Sequence, residues 1–195
     1  GESNRSERES YTRLTQTMIQ SWRSAFGQGN LPFYYVQVAP FWYEKDDATL
    51  ADYAFFREAQ EHVSSLGNTE MVVTMDVGES RDLHPKNKKP IGVRLAKTAL
   101  NRTYGALSIA YQGPKFDFAL FGKKEVAVHF LSETVRNGLE TNNGNAPEHF
   151  FVAGADKKFY PAAARIEENH VVLTCPKVKD PVAVRYAYTN FPVTN

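Results

Sequence analysis

Apolar residues in the first 105 positions recur with two periods, which predict helices alternating with buried strands. Between positions 11 and 26 they return every three or four residues, the spacing of one helix face. That face consists of Tyr11, Leu14, Met18, Trp22 and Phe26. Mainly apolar runs at 33–39 and 70–77, the second centred on Met71–Val73, instead predict two buried parallel strands. Two further helices are predicted to begin near positions 49 and 90. Residues 1–105 therefore have the alternation of helices and strands expected of half of a doubly wound α/β sheet.

Local signals predict where these helices begin and end. The pairs Ser6 with Glu9 and Thr49 with Asp52 have the spacing of a capping box at a helix start. Gly27 predicts the end of the first helix. In the third helix, the side chains predicted to face the core are those of Ile91, Leu95, Ala99 and Tyr104. A half sheet of this kind is expected to leave a strand edge and an apolar face uncovered.

The second half of the chain changes character near Gly105. Short runs of β-forming residues follow one another, separated by turns rich in glycine, asparagine and charged residues. The runs are 116–121, 125–131, 150–153, 162–166, 171–174 and 182–188. This spacing predicts a small antiparallel sandwich, so we predict an α/β half-domain at 1–105 and a β domain at 106–195.

Composition and charge exclude several classes of protein. The 195 residues carry a net charge of +1, which gives no basic excess for a nucleic acid or a membrane surface. A single cysteine, Cys175, excludes a disulfide framework. No run of 18 apolar residues exists, and no histidine pair at metal-ligand spacing, nucleotide-binding glycine loop or nucleophile elbow is visible. We therefore predict no transmembrane helix, no metal and no cofactor.

The loop after the second predicted strand holds the strongest chemical signal. Positions 76–85 contain His84 with the carboxylates Asp76, Glu79 and Asp82. A histidine titrates near neutrality, and a carboxylate on its far nitrogen fixes the tautomer, so this pattern favours a general base. The alternative is a surface histidine on a solvated loop. The other four histidines are interpreted as structural or surface residues: His62, His129, His149 and His170.

Several blocks together resemble the C-terminal portion of the sialate O-acetylesterase family, within the SGNH hydrolase superfamily. Positions 1–5 read GESNR and resemble the end of the family's W-Y-Q-G-E-S-N block. Positions 82–88 read DLHPKNK and resemble its D-[IL]-H-P-x-[ND]-K block, with GVRLA following at 92–96. Positions 153–161 and 176–186 resemble its C-terminal β region. The resemblance spans nearly the whole chain.

This resemblance implies a serine esterase that removes acetyl groups from sugar hydroxyls. It implies the C-terminal half of a flavodoxin-like SGNH domain followed by a small antiparallel β domain. His84 would be the base. The superfamily usually has the acid three residues before this histidine, but that position is Arg81 here. The acid that orients His84 would therefore be Asp82 or Glu2, with Asp76 as a further possibility. Gly1 and Asn4 would lie by the oxyanion hole.

The family's nucleophile block, G-Q-S-N-M, does not occur in this chain. The chain begins at Gly1 rather than at a methionine, as expected of a fragment or a product of processing. We therefore expect the serine to come from a missing N-terminal part and the isolated chain to be inactive, with Ser3 as the alternative nucleophile. The resemblance also implies a substrate of acetylated sialic acid or another glycan and a secreted, periplasmic or lysosomal location. The competing hypothesis is a non-catalytic carbohydrate-binding module, based on the aromatic-rich β domain.

Overall fold

The structure is a computed structural model, and it describes residues 2–42 and 52–195. It divides into two compact units. The first comprises Gly1–Tyr111 with Thr189–Phe191, and the second comprises Gln112–Tyr188 with Pro192–Asn195. Helices and strands are mixed, and several strand pairs are antiparallel, which confirms the predicted α/β class at this coarse level. The domain boundary predicted at residue 105 stays a prediction.

Among the described residues of the first unit, two parallel strands are accompanied by three α-helices. A short 3-10 helix, Glu2–Asn4, precedes α1 (Arg8–Phe26), β1 (Phe33–Val36), α2 (Asp52–Val63), β2 (Thr69–Val72) and α3 (Lys89–Arg102). Strands β1 and β2 pair in parallel, with Phe33 opposite Thr69 and Val36 opposite Val72, as the sequence predicts. Both strands are shorter than predicted. The ladder ends because the amide of Val38 donates to the side chain of Gln60 (2.8 Å) instead of to a strand neighbour.

Helix α1 packs on α2 through a face beside the predicted apolar stripe. Its Ile19 is fully buried, the Tyr11 ring meets Phe56 edge-on at 4.8 Å, and the Thr12 hydroxyl donates to the Ala59 carbonyl at 2.7 Å. Four of the five stripe residues are exposed: Leu14, Met18, Trp22 and Phe26. An uncovered apolar face is therefore present in the described structure, as expected for a half sheet.

The helix boundaries correct part of the sequence analysis. Helix α1 begins at Arg8 with Glu7 as its N-cap and no side-chain capping bond, so the Ser6–Glu9 capping box is wrong. Thr49 lies outside the described residues. Gly27 does end α1, at φ 63°, where glycine is favoured. Tyr104 is 76% exposed, because α3 ends at Arg102 and the chain has already left the helix.

The second unit contains two antiparallel sheets and one short 3-10 helix, Ser132–Thr134. Its strands are β3 (Phe116–Phe121), β4 (Glu125–Phe130), β5 (Phe150–Ala153), β6 (Phe159–Pro161), β7 (Ala163–Glu167), β8 (His170–Thr174) and β9 (Ala183–Tyr186). One sheet has the order β3-β4-β8-β7 and the other β6-β5-β9. Residues of both sheets share one core: Val126, Val128, Phe150, Val152, Ala164, Val171, Leu173, Cys175 and Val178.

All six predicted β runs of this unit correspond to strands, with ends that differ by at most two residues. Strand β6 was not predicted, because a three-residue strand ending at Pro161 gives no alternating pattern. Within the described ranges, no helix has the length and apolar character needed to cross a membrane.

Candidate active site

The loops that follow β1 and β2 are tied together at the carboxyl ends of the strands. The amide of Gln37 donates to the Val72 carbonyl at 2.9 Å, and the buried Thr74 hydroxyl donates to the Gln37 carbonyl at 3.0 Å. Gly78 lies so close to Pro40 that a Cβ there would be 2.6 Å from the Pro40 carbonyl oxygen. Ligands of open α/β sheets bind at this end of the strands, so this is where a site is expected.

A cavity of about 340 Å³ opens at this edge of the parallel pair. Its lining combines the loop after β1, the loop before α3 and the first residues of the chain that the structure describes. The lining residues are Glu2, Val36, Gln37, Val38, Ala39, Thr74, Leu83, His84, Pro85, Lys88 and Ile91. Its size is at the lower end of the range for small-molecule sites. His84 and Glu2, two of the residues predicted for the site, thus line the same cavity.

His84 lies on a loop whose conformation is set by short side-chain bonds. The Asp82 Oδ1 accepts the backbone N–H of His84 at 2.9 Å and lies 3.8 Å from the ring Nδ1. The Glu79 Oε1 accepts the backbone N–H of Lys86 at 2.8 Å, and Pro85 is buried. These contacts hold the loop while the His84 side chain stays 89% exposed. The imidazole is therefore free to meet a group that enters the cavity.

Glu2 is held by partners of its own. Its Oε1 accepts a charge-assisted hydrogen bond from Arg5 at 2.7 Å and a longer one from the Tyr53 hydroxyl at 3.3 Å. Among the described residues, no ion pair joins Glu2 to His84. Of the two predicted acids, Asp82 is therefore the one whose carboxylate lies beside the His84 ring.

Asp76 is engaged by Arg94 rather than by His84. Two guanidinium nitrogens of Arg94 donate to the two carboxylate oxygens of Asp76, at 2.7 and 2.5 Å. These hydrogen bonds hold the pKa of Asp76 below its ordinary value and raise the pKa of Arg94. Arg94 also donates to the Val73 carbonyl at 2.7 Å, so it fixes the chain where β2 ends. No local pattern signals this contact, because its partners are 18 residues apart.

The remaining predicted residues lie in or near the first 3-10 helix. Asn4 is half-buried and its carbonyl accepts the Glu7 amide at 2.9 Å, but it is not among the cavity-lining residues. Gly1 lies outside the described residues. Ser3 is exposed. No serine or cysteine occurs among the described residues that line the cavity, and no group of three metal-ligating side chains occurs in the described ranges.

Comparison with known proteins shows which proteins this chain resembles. No family model matches the chain. A mouse sialate O-acetylesterase is 28% identical over 135 residues, which cover 58% of this chain and 24% of the mouse protein. A carbohydrate acetylesterase from Xanthomonas citri, known from its crystal structure, is 34% identical and superposes with a TM-score of 0.91. The superposition covers 99% of this chain and 44% of the Xanthomonas chain.

The chain thus spans less than half the length of each of these relatives. Over its own length the agreement is nearly complete in the structural comparison, and it includes both compact units. The resemblance predicted from the sequence is therefore confirmed: this chain is sialate O-acetylesterase-like.

Proposed function

We propose that this chain is the base-bearing part of a carbohydrate O-acetylesterase of the SGNH hydrolase superfamily. The observation that carries the proposal is the pair of His84 and Asp82 on the rim of a cavity formed at the carboxyl ends of β1 and β2. Similarity to two acetylesterases supports the reaction and the acetylated-sugar substrate. The first unit would then be the C-terminal half of a flavodoxin-like domain.

In the proposed reaction a serine hydroxyl attacks the carbonyl carbon of a sugar acetyl ester. The His84 imidazole takes the serine proton during attack and returns it to the departing sugar oxygen. His84 then removes a proton from the water that attacks the acetyl-serine, and returns it to the serine oxygen as the acyl–oxygen bond breaks and acetate leaves. The Asp82 carboxylate, 3.8 Å from Nδ1, stabilises the imidazolium formed in both halves of the reaction. Gly1 and Asn4 are assigned to the oxyanion hole by family resemblance alone.

The proposal takes the nucleophilic serine from a segment outside these 195 residues. The described cavity lining offers only the hydroxyl of Thr74, which is buried and donates to the Gln37 carbonyl. The chain also corresponds to 44% of the Xanthomonas acetylesterase, which leaves room for a further half of the sheet. In the described structure β1 pairs with β2 on one edge only.

The exposed stripe of α1 supports the same proposal. Leu14 and Phe26 are 59% and 65% exposed, and Trp22 is half exposed although it contacts the Phe33 ring. A row of large apolar side chains along one helix face is what a second layer of the sheet would cover. We therefore expect this chain alone to lack esterase activity.

Activity of the full-length gene product tests the role of His84. His84→Ala should lower turnover of 4-nitrophenyl acetate by at least about a thousandfold, as expected for removal of a triad base. His62→Ala is the matched control, because His62 is an exposed histidine of the same unit that does not line the cavity. Equal activity of the two variants would overturn the assignment of His84 as the base.

A further inference from the structure

A second feature with binding chemistry lies in the second unit, on strand β9. The guanidinium carbon of Arg185 lies 3.9 Å from the centre of the Phe159 ring and 4.5 Å from the centre of the Tyr188 ring. Both distances are within the range of cation–π contacts. Two aromatic rings therefore hold one cationic side chain in place.

The strand register places this arrangement on the side of the sheet that faces away from the core. Arg185 lies opposite Phe151, and Phe159 lies opposite Ala153, so both occupy the side to which Phe151 and Ala153 point. The other side carries Phe150 and Val152, which belong to the core of the unit. Arg185 as a whole residue is half-buried.

The chain adopts an unusual conformation to bring Tyr188 to Arg185. The intervening Ala187 is buried and has φ 49°, a left-handed value that is uncommon for a residue with a Cβ. Its amide donates to the His149 carbonyl at 2.9 Å, which holds the turn. Such outliers persist where the surrounding structure enforces them, and they occur frequently at ligand sites.

The guanidinium of Arg185 has no acceptor among the described residues: no hydrogen bond and no ion pair to it occurs there. Arg165, on the other sheet, is different, because it contacts the carboxylates of Glu167 at 2.6 Å and Glu125 at 3.7 Å. Aromatic contacts cover the face of a guanidinium and leave its N–H edge to an acceptor. A carboxylate matches that edge with two parallel hydrogen bonds. The exposed Lys157 and Lys158, directly before Phe159, also favour an anion.

We propose that Arg185, held by Phe159 and Tyr188, binds the carboxylate of an acidic sugar. The choice of a sugar rests on the proposed function as a carbohydrate esterase, whereas the carboxylate follows from the guanidinium and its surroundings. Nothing in this assignment requires esterase activity. It is therefore tested by binding to the 195-residue chain, and its outcome is independent of the outcome for His84.

The test is a titration of the chain with methyl β-D-glucuronide, with its methyl ester as the uncharged counterpart. Binding is monitored through the NMR chemical shifts of the arginine side-chain N–H groups. The acid should bind and shift the Arg185 signal, and the ester should bind at least about tenfold more weakly, since a charge-assisted bidentate pair is lost. Acetate should bind more weakly than the glucuronide, because it carries the carboxylate without the sugar.

Variants separate the role of Arg185 from general charge. Arg185→Lys keeps the charge but loses the planar fork, and it should weaken binding about tenfold; Arg185→Gln should abolish binding. Arg165→Gln is the matched control and should bind like the parent chain, with folding of each variant checked by its thermal melt. Equal binding of acid and ester, or unchanged binding by a folded Arg185→Lys, would overturn the proposal. Acetate binding as tightly as the glucuronide would overturn the assignment of a sugar.

Discussion

The Asp82 carboxylate lies beside both the backbone N–H and the ring of His84. Its Oδ1 accepts the His84 backbone N–H at 2.9 Å and lies 3.8 Å from the His84 ring Nδ1. The first contact fixes the loop, and the second places negative charge on the side of the imidazole that would not face the serine. In the superfamily that the sequence resembles, the acid usually stands three residues before the histidine, whereas Asp82 stands two before His84.

The two contacts of Asp82 can be separated by substitution. Asp82→Asn keeps an oxygen acceptor for the His84 amide but removes the charge beside the ring, so the loop should persist while turnover falls. We expect a smaller loss in turnover number than for His84→Ala, because an uncharged imidazole still accepts a proton. Steady-state kinetics of the full-length product measure both. Turnover of Asp82→Asn equal to that of the parent would contradict the role of the carboxylate.

The ion pair of Asp76 and Arg94 should stabilise the chain in a pH-dependent manner. The pKa of Asp76 is lowered in the folded state, so the pair contributes above the ordinary pKa of 3.8 and is lost as the pH falls through the folded value. Because both side chains are partly exposed, Arg94→Gln should cost no more than about 1 kcal/mol at pH 7. Urea unfolding at pH 7 and pH 3 measures this. A cost that is the same or larger at pH 3 would contradict the assignment.

Gly78 should be intolerant of a side chain. A Cβ at this position would lie 2.6 Å from the Pro40 carbonyl oxygen and 2.8 Å from its Cδ, so the loops after β1 and β2 would have to separate. Gly78→Ala should lower the free energy of unfolding by about 1–3 kcal/mol. Gly92→Ala is the control, since nothing lies within 4 Å of a Cβ there. Being in α3, it should stabilise by about 0.5–1 kcal/mol. Equal effects in denaturant unfolding would show that the loops do not meet as described.

The stripe of α1 should tolerate charge in this chain but not in the longer protein that we propose. Leu14 is 59% exposed, so Leu14→Glu should change the unfolding free energy of the 195-residue chain by less than about 0.5 kcal/mol. Ile19→Ala, in the buried face of the same helix, should cost about 2–4 kcal/mol. In the full-length product Leu14→Glu should be clearly destabilising. No effect there would show that the stripe stays uncovered.

Periodicity predicted the strands well because it reports which face of each strand is buried, and this is a local property. The runs at 116–121 and 150–153 match β3 and β5 residue for residue. The failures lie at helix ends, whose positions the periodicity does not fix. Ser6 does not cap α1, since the helix starts two residues later, and Tyr104 is exposed because α3 ends before it.

The candidate site was likewise predictable from local pattern only where its residues are close in sequence. His84 and Asp82 are neighbours in sequence, so their proximity follows from the chain. Glu2 and His84 line the same cavity although they are 82 positions apart in the chain. The family resemblance indicated that they would belong to one site, whereas the local sequence pattern did not. The Asp76–Arg94 pair and the Arg185 arrangement likewise depend on tertiary contacts, and neither was predicted.

Covalent labelling with a fluorophosphonate shows whether His84 activates a serine from outside these 195 residues. The full-length gene product is treated with the reagent and the modified serine is located by peptide mapping, alongside the His84→Ala variant. We expect a single labelled serine outside these 195 residues and loss of labelling in His84→Ala, because the serine is no longer activated. A label on Ser3, or undiminished labelling without His84, would contradict this expectation.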